Sequence, residues 1–433
     1  MRGENLFFTI TLGRLGGMKR IASIVMLLTF VFTAFSVKLT FWTAPNPYQE
    51  EFWKIMVTQW NKQRPDVQIE VQTIPAAGSS EEAILTALAA GNAPDFCENI
   101  FSGFGAQLAD IGAIYAFDNF GADFTKLVQT RKMTSIIDKW VINGKHYVFP
   151  IYSNPMLFWW RGDILKQLGY NNPPRTYSEI YDLSKKFADG KKKFAMQVIS
   201  GRNWWDRWYD FITYYYAATG GNSYIDTAKR KVTFGDATGL KIANFIYTMF
   251  QNKYTAVELG TNPFYNGYIL GKITGPWEVN QAKDTFPKVV PNIWISTPPV
   301  PDDYPKDKPV YTVADSKGLV IFSTCKDKKA AFEFISWVFS NAQNDALWIE
   351  KTQMPPARED LTTNQTFAKY MEDKFFKTYS SNVPYAVPPA LITNTIDVNQ
   401  AMSTYLVEPL MYLKGKPEDI LNKAVKEINK VLF

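Results

Sequence analysis

The hydrophobic period of the chain keeps switching after Val37, and this narrows the possible folds more than any other feature. "VKLTFW", Val37 to Trp42, reads as a strand. "EEFWKIMVTQW" puts Phe52, Ile55, Met56 and Trp60 on one helical face, and "DVQIEVQTI" alternates through Val67, Ile69 and Val71. "SSEEAILTALAAGNAPDF" opens with the capping-box pair Ser79 and Glu82 and stops at Gly91, with Pro94 just beyond. This order of strand, helix, strand, helix, strand predicts an α/β fold with crossover helices.

Later segments keep the mixture. "RTYSEIYDLSKKFADG" predicts a helix capped by Thr176 and Glu179 with Ile180, Leu183 and Phe187 inward. "KKAAFEFISWVF" and "EDILNKAVKEINKVLF" are also helical, the second with Ile420, Leu421, Ala424, Ile428 and Val431 in a stripe. The Pro-rich run Ser296 to Thr312 reads as a surface loop between two strands, and Lys191 to Lys193 as a solvated turn. The sequence contains no short internal repeat.

The amino terminus points to export. Met18 to Arg20 is positive, Ile21 to Phe32 is apolar, and small residues follow at Ala34 and Ser36. That is the order of a secretory signal, with cleavage expected near Ser36 and the true start at Met18. The apolar run is short of the ~20 residues of a membrane span. Without residues 1–36 the chain keeps 43 basic and 40 acidic residues, a near balance that gives no nucleic-acid signal. A chain of this length divides into about two or three domains. Neither Cys97 nor Cys325 stands at the processing site, so no lipid anchor is expected. The pair reads as two buried thiols, with a disulfide as the alternative.

Most enzyme signatures are missing. His146 is the only histidine, which rules out a His-based triad or a poly-His metal site built from one chain. No phosphate loop, dinucleotide fingerprint or metal-spaced Cys pair occurs, and no cofactor is expected. Paired carboxylates remain available among so many acidic residues.

Aromatic residues are in excess, at 15% of the chain. Several are bunched with polar partners in "FWWRGD" (Phe158 to Asp163), "NWWDRWYD" (Asn203 to Asp210) and "GPWE" (Gly275 to Glu278). A sugar ring offers a face of C–H groups and an equator of hydroxyls, and so suits a flat aromatic surface edged by Asp, Glu, Asn and Arg. On this ground Trp204, Trp205 and Asp206 are candidate ligand residues. The alternative reading of each cluster is core with a solvated edge.

Seven segments follow one another in the order "LTFWTAPNP", "ALAAGNAPDF", "GAQLADIGAIYAFDNF", "KHYVFPIYSNPMLFWWRGDILKQLG", "GKITGPWEVNQAK", "ADSKGLVIFSTCKDKKAAFEFISWVFS" and "TQMPPARED", and together cover nearly the whole mature chain. This series resembles the extracellular solute-binding proteins of bacterial sugar ABC transporters, of the maltose-binding type. Two departures stand out. Trp160, Arg161, Gly162 and Asp163 replace the usual Tyr-Asn-Lys-Asp, and the family's lipobox Cys is absent.

The resemblance implies a type II periplasmic-binding-protein fold of two α/β lobes with the ligand between them. Lobe one is expected at 37–149 and 293–345, lobe two at 150–292 and 346–433, with hinge crossings near Phe149 and Ile293. It further implies ligand contacts from Trp42 and Asn46, from Glu98, Phe101 and Ser102, from Tyr152 and Asn154, from Asp315 and Lys317, and from Arg358. Trp277 would be a stacking platform at the cleft edge, with Glu278 near the sugar hydroxyls. The implied function is non-enzymatic: capture of a sugar or oligosaccharide and delivery to membrane permease subunits, by a periplasmic monomer with no nucleic-acid partner. A binder of a polyol or phosphorylated polyol, and a secreted glycoside hydrolase or lyase, are the alternatives.

Overall fold

The computed structural model describes residues 36–75, 79–199 and 204–432, with side chains from residue 207 onward in the last span. The expected signal segment up to Phe35 lies outside the described residues.

The first lobe is built as the alternation requires. It runs β1 (Val37–Thr43), α1 (Pro47–Gln63), β2 (Val67–Thr73), α2 (Ser80–Ala89), β3 (Phe96–Phe101) and α3 (Ser102–Asp110). β1 pairs in parallel with both β2 and β3. Asn46 sets the start of α1, accepting the N–H groups of Tyr48 and Gln49 at 3.0 and 3.2 Å, and Pro47 follows where its missing N–H leaves no bond unmade. α1 buries Phe52, Trp53, Met56, Val57 and Trp60. Ile55, expected on that face, is only half-buried, because the buried stripe runs through Trp53 and Val57 instead.

β4 (Phe149–Pro155) then carries the chain to the second lobe, which holds β5 (Leu157–Arg161), α4 (Tyr177–Phe187), β6 (Phe194–Met196), α5 (Trp204–Thr219), α6 (Ala237–Gln251), β7 (Ile269–Thr274), α7 (Glu278–Thr285) and β8 (Ile293–Ser296). Its sheet has the order β8, β5, β7, β6. The capping box at the start of α4 is complete, with Thr176 and Glu179 each bonding the other's backbone. The Pro-rich run joins β8 to β9 (Thr312–Phe322), which returns to the first sheet antiparallel to β3 and β4. Three lysine N–H groups, of Lys191, Lys192 and Lys193, donate to the Asp189 carboxylate, making the expected turn.

α8 (Lys328–Phe339) and α9 (Ala342–Thr352) cover the first sheet, whereas α10 (Thr395–Met402) and α11 (Pro417–Val431) pack in the second core. In the first core Phe41 stacks on Phe96 at 4.5 Å and meets Trp53 edge-on at 4.8 Å. In the second, Tyr177 stacks on Phe245 at 4.1 Å. Burying aromatic side chains of this size contributes on the order of 2–3 kcal/mol each.

The expected lobe boundaries and crossing change, and one open reading is decided. The lobe boundaries move, since Trp294 of β8 pairs with Trp160 in the second sheet, while Trp348, Met354 and Ala357 join the first core. The outgoing crossing falls between Pro155 and Leu157, because all of Phe149–Pro155 is buried and β4 pairs with β9 up to Pro155. "FWWRGD" is core: Phe158, Trp159 and Trp160 are fully buried, and Arg161 is bound to Asp163 at 2.7 Å. β5 lies inside its sheet with both faces covered, so neither side of it is free for a ligand. Cys97 and Cys325 are both buried and free.

Candidate functional site

A cleft of about 620 Å³ opens between the two sheets. Its first wall comes from the loop end of β3 and the start of α2. Asn99 holds a left-handed backbone with φ of 70°, which asparagine tolerates, and its amide donates to Ser80 Oγ at 3.0 Å. That bond draws the start of α2 to the cleft, where Ser79, Glu81 and Glu82 join Asn99 and Phe101. Asp315 and Lys317 enter from β9, on alternate residues that share one face of the strand, 3.8 Å apart.

The second wall is aromatic. Trp208 and Tyr209 of α5 lie edge to face at 5.3 Å, and Trp277 follows β7 on the Gly275–Pro276 bend. Trp277 is half-buried and packs at the margins of both cores, so it bridges the lobes. A Cβ on Gly275 would stand 1.9 Å from a ring carbon of Trp277, so the ring lies where only glycine allows it.

Glu278 begins α7 and is tightly held. Its carboxylate takes bonds from Lys272, from the Tyr265 hydroxyl at 2.5 Å and from Thr274 Oγ1 at 2.6 Å. Burial alone raises its pKa, but the Lys272 charge and these three donors outweigh it and hold the group below its ordinary value. Two buried polar atoms on the second-lobe side, the Tyr209 hydroxyl and the Asn399 side-chain oxygen, have no partner among the described residues. Buried polar atoms are normally bonded, so these two favour a ligand with hydroxyl groups.

Five of the residues expected at the site meet in this cleft: Phe101, Trp277, Glu278, Asp315 and Lys317. The other expected residues whose side chains are described do not line it. Trp42 packs half-buried beside the cluster beneath α2, and Asn46 spends its side chain on capping α1. Glu98 is fully buried, accepting from Thr43 Oγ1 and from the Ala44 N–H at 2.9 Å. Ser102 donates to the Pro389 carbonyl at 3.0 Å, Tyr152 stacks on Trp348 at 5.6 Å, and Asn154 points its amide at the Met354 sulfur. Arg358 is buried in an ion-pair network with Asp345 and Asp360. Trp204, Trp205 and Asp206 open α5, and their side chains lie outside the described residues.

Sequence reasoning missed Asn99, Gln197, Lys272, Trp208, Tyr209 and Asn399. Trp208 and Tyr209 stand in the flagged "NWWDRWYD" cluster, and Lys272 stands six residues before Glu278, so partial signals existed. Asn399 carries none.

A family model described as bacterial extracellular solute-binding protein matches residues 46–345. The solved structure of the uncharacterized protein lmo0859 from Listeria monocytogenes EGD-e is 36% identical, with a TM-score of 0.80 over 92% of this chain and 100% of that one. The maltotriose binding protein of Thermus thermophilus, solved with maltotriose, is 18% identical, with a TM-score of 0.71 over 91% and 100% of the two chains, a likeness of fold. The arabinooligosaccharide-binding protein of Bacillus subtilis (strain 168) is 26% identical over 183 residues, and the match spans 38% of this chain and 40% of that curated relative.

Proposed function

Because the chain belongs to the bacterial extracellular solute-binding protein family, we propose that it captures a sugar or oligosaccharide between its lobes and hands it to the permease of an ABC transporter. The family is extracellular, so the protein is exported, and residues 18–36 have the order of charged, apolar and small residues that an export signal needs. The observation that carries the ligand class is the cleft itself, with Trp277, Trp208 and Tyr209 as ring surfaces and amide and charged groups at their edges. The arabinooligosaccharide-binding relative supports the same class.

Charge argues for a neutral sugar over a phosphorylated polyol. Among the described lining residues Glu81, Glu82, Glu278 and Asp315 outnumber Lys272 and Lys317, and Lys272 is already paired. A phosphate needs the reverse balance. Glu278 does not suit the role of a glycosidase's proton donor, which keeps its proton near neutral pH, because burial is outweighed by Lys272, Thr274 and Tyr265 and its pKa is held below the ordinary value.

A ligand that touches both lobes binds the closed form better than the open one and shifts the population towards it. Thermal unfolding against a panel of mono-, di- and oligosaccharides tests the reading. At least one sugar raises the melting temperature in a saturable way with no product released. A panel without any shift contradicts capture, and reducing ends released from an oligosaccharide would make the protein a hydrolase.

A further inference from the structure

Behind the Lys272–Glu278 pair lies a second chamber, also about 620 Å³, formed within the second lobe. It shares Gln197, Lys272 and Glu278 with the cleft, so these three residues form a partition with a chamber on each side. Each chamber is of a size that holds a small organic ligand.

We infer that this second chamber is a subsite for a further sugar ring, and that the ligand is an oligosaccharide crossing the Lys272–Glu278 pair rather than a single ring. The inference rests on the sugar-binding reading above.

The partition is built to be passed over rather than opened. Lys272 and Glu278 are each 14% exposed, and the ammonium also lies 5.8, 5.6 and 5.1 Å from the ring centres of Trp159, Phe264 and Tyr265. Removing either charge would leave the other buried without its partner, so the pair is a fixed rim. A fixed rim that carries both donors and acceptors can bond hydroxyls of two successive rings, one on each side.

The far wall repeats the chemistry of the cleft. Tyr265 stacks on Phe286 at 3.9 Å with nearly parallel planes and meets Phe264 edge-on at 5.4 Å, which fixes an aromatic surface without any moving part. Leu259 adds an apolar patch, and the amides of Asn262 and Gln281 with the Glu258 carboxylate supply the polar edge. An aromatic and aliphatic wall edged by amides and a carboxylate suits a ring with hydroxyls and no negative charge.

Calorimetric titration with two ladders tests this: α-1,5-arabino-oligosaccharides and malto-oligosaccharides, each from two to five rings. In the ladder that binds, affinity rises at least tenfold from the two-ring to the four-ring member. Leu259→Trp fills the chamber and abolishes that gain, leaving two-ring affinity and the melting temperature unchanged. Gln281→Trp does the same from an exposed position on α7, where added bulk cannot disturb the core. Length-independent affinity overturns the inference while leaving sugar capture standing, as does an equal loss for all lengths in both variants. Failure of every member of both ladders to bind removes the sugar reading and the inference together.

Discussion

Trp277 can face a ligand only because Gly275 has no side chain. Trp277→Ala removes ring area from the cleft and little from either core, so sugar affinity falls by ~2 kcal/mol, about thirtyfold. Unliganded stability falls by less than ~1 kcal/mol, short of the ~3–5 kcal/mol of a core Trp truncation. Denaturation and titration of the one variant measure both, and a large stability loss with unchanged affinity would return Trp277 to the core. Glu98 makes a different residue-scale prediction. Burial raises its pKa from the usual 4.5, against the opposing bonds from Thr43, Ala44 and Trp53 and the Lys317 charge. The folded state therefore holds this proton more tightly than the unfolded chain, and stability drains away as pH rises between the two pKa values. Glu98→Gln keeps an oxygen to accept from Thr43 and Ala44 but has no proton to lose. Its stability relative to wild type accordingly grows from about pH 4.5 upward and then levels off. Denaturation midpoints across that range check it; an equal loss at every pH would mean that folding leaves this pKa unchanged, and a loss that deepens as pH rises would mean that the carboxylate charge is favourably held.

Among the elements, α9 is tied to β4 by buried charge. Asp345 lies 3.0 Å from both Arg131 and Arg358, all three at most 3% exposed, and Arg131 also donates to the Pro150 and Ile151 carbonyls at 2.6 and 2.7 Å. Asp345→Asn leaves the buried Arg131 guanidinium without its charge partner, while Arg358 keeps Asp360, and costs about 3–5 kcal/mol of stability. Sugar affinity of the folded variant is unchanged, because the network lies off the cleft lining; chemical denaturation and calorimetry separate the two effects. The same network shows why Arg358 looked like a ligand residue: an arginine after a Pro-Pro turn carries no mark of whether its partner is a sugar or a buried aspartate. Helices with polar faces and explicit caps were legible, as at Thr176 and Glu179, because each signal is local. β4 and β5 were not, since strands covered on both faces lose the alternation that would show where one lobe ends. The cleft was half legible. "GPWE" announces itself as a bend bearing an aromatic ring, whereas Asn99, Gln197 and Asn399 become neighbours only when three distant elements meet.

For the whole molecule, β4 and β9 run side by side between the lobes, with Met156 bonded to Val313 at 3.0 Å and to the Thr312 hydroxyl at 2.6 Å, so the hinge belongs at this ribbon. At the cleft edge α7 reaches the first lobe, where the Asn280 amide donates to the Lys351 carbonyl at 2.9 Å and Lys283 approaches Gln353 at 3.4 Å. These two contacts are polar, the kind that form and break as two lobes rotate. The central claim is capture by closure, and small-angle X-ray scattering tests it most directly, with the protein measured empty and then saturated with a sugar that raises its melting temperature. The account predicts a smaller radius of gyration at saturation. A radius unchanged at saturation would contradict it.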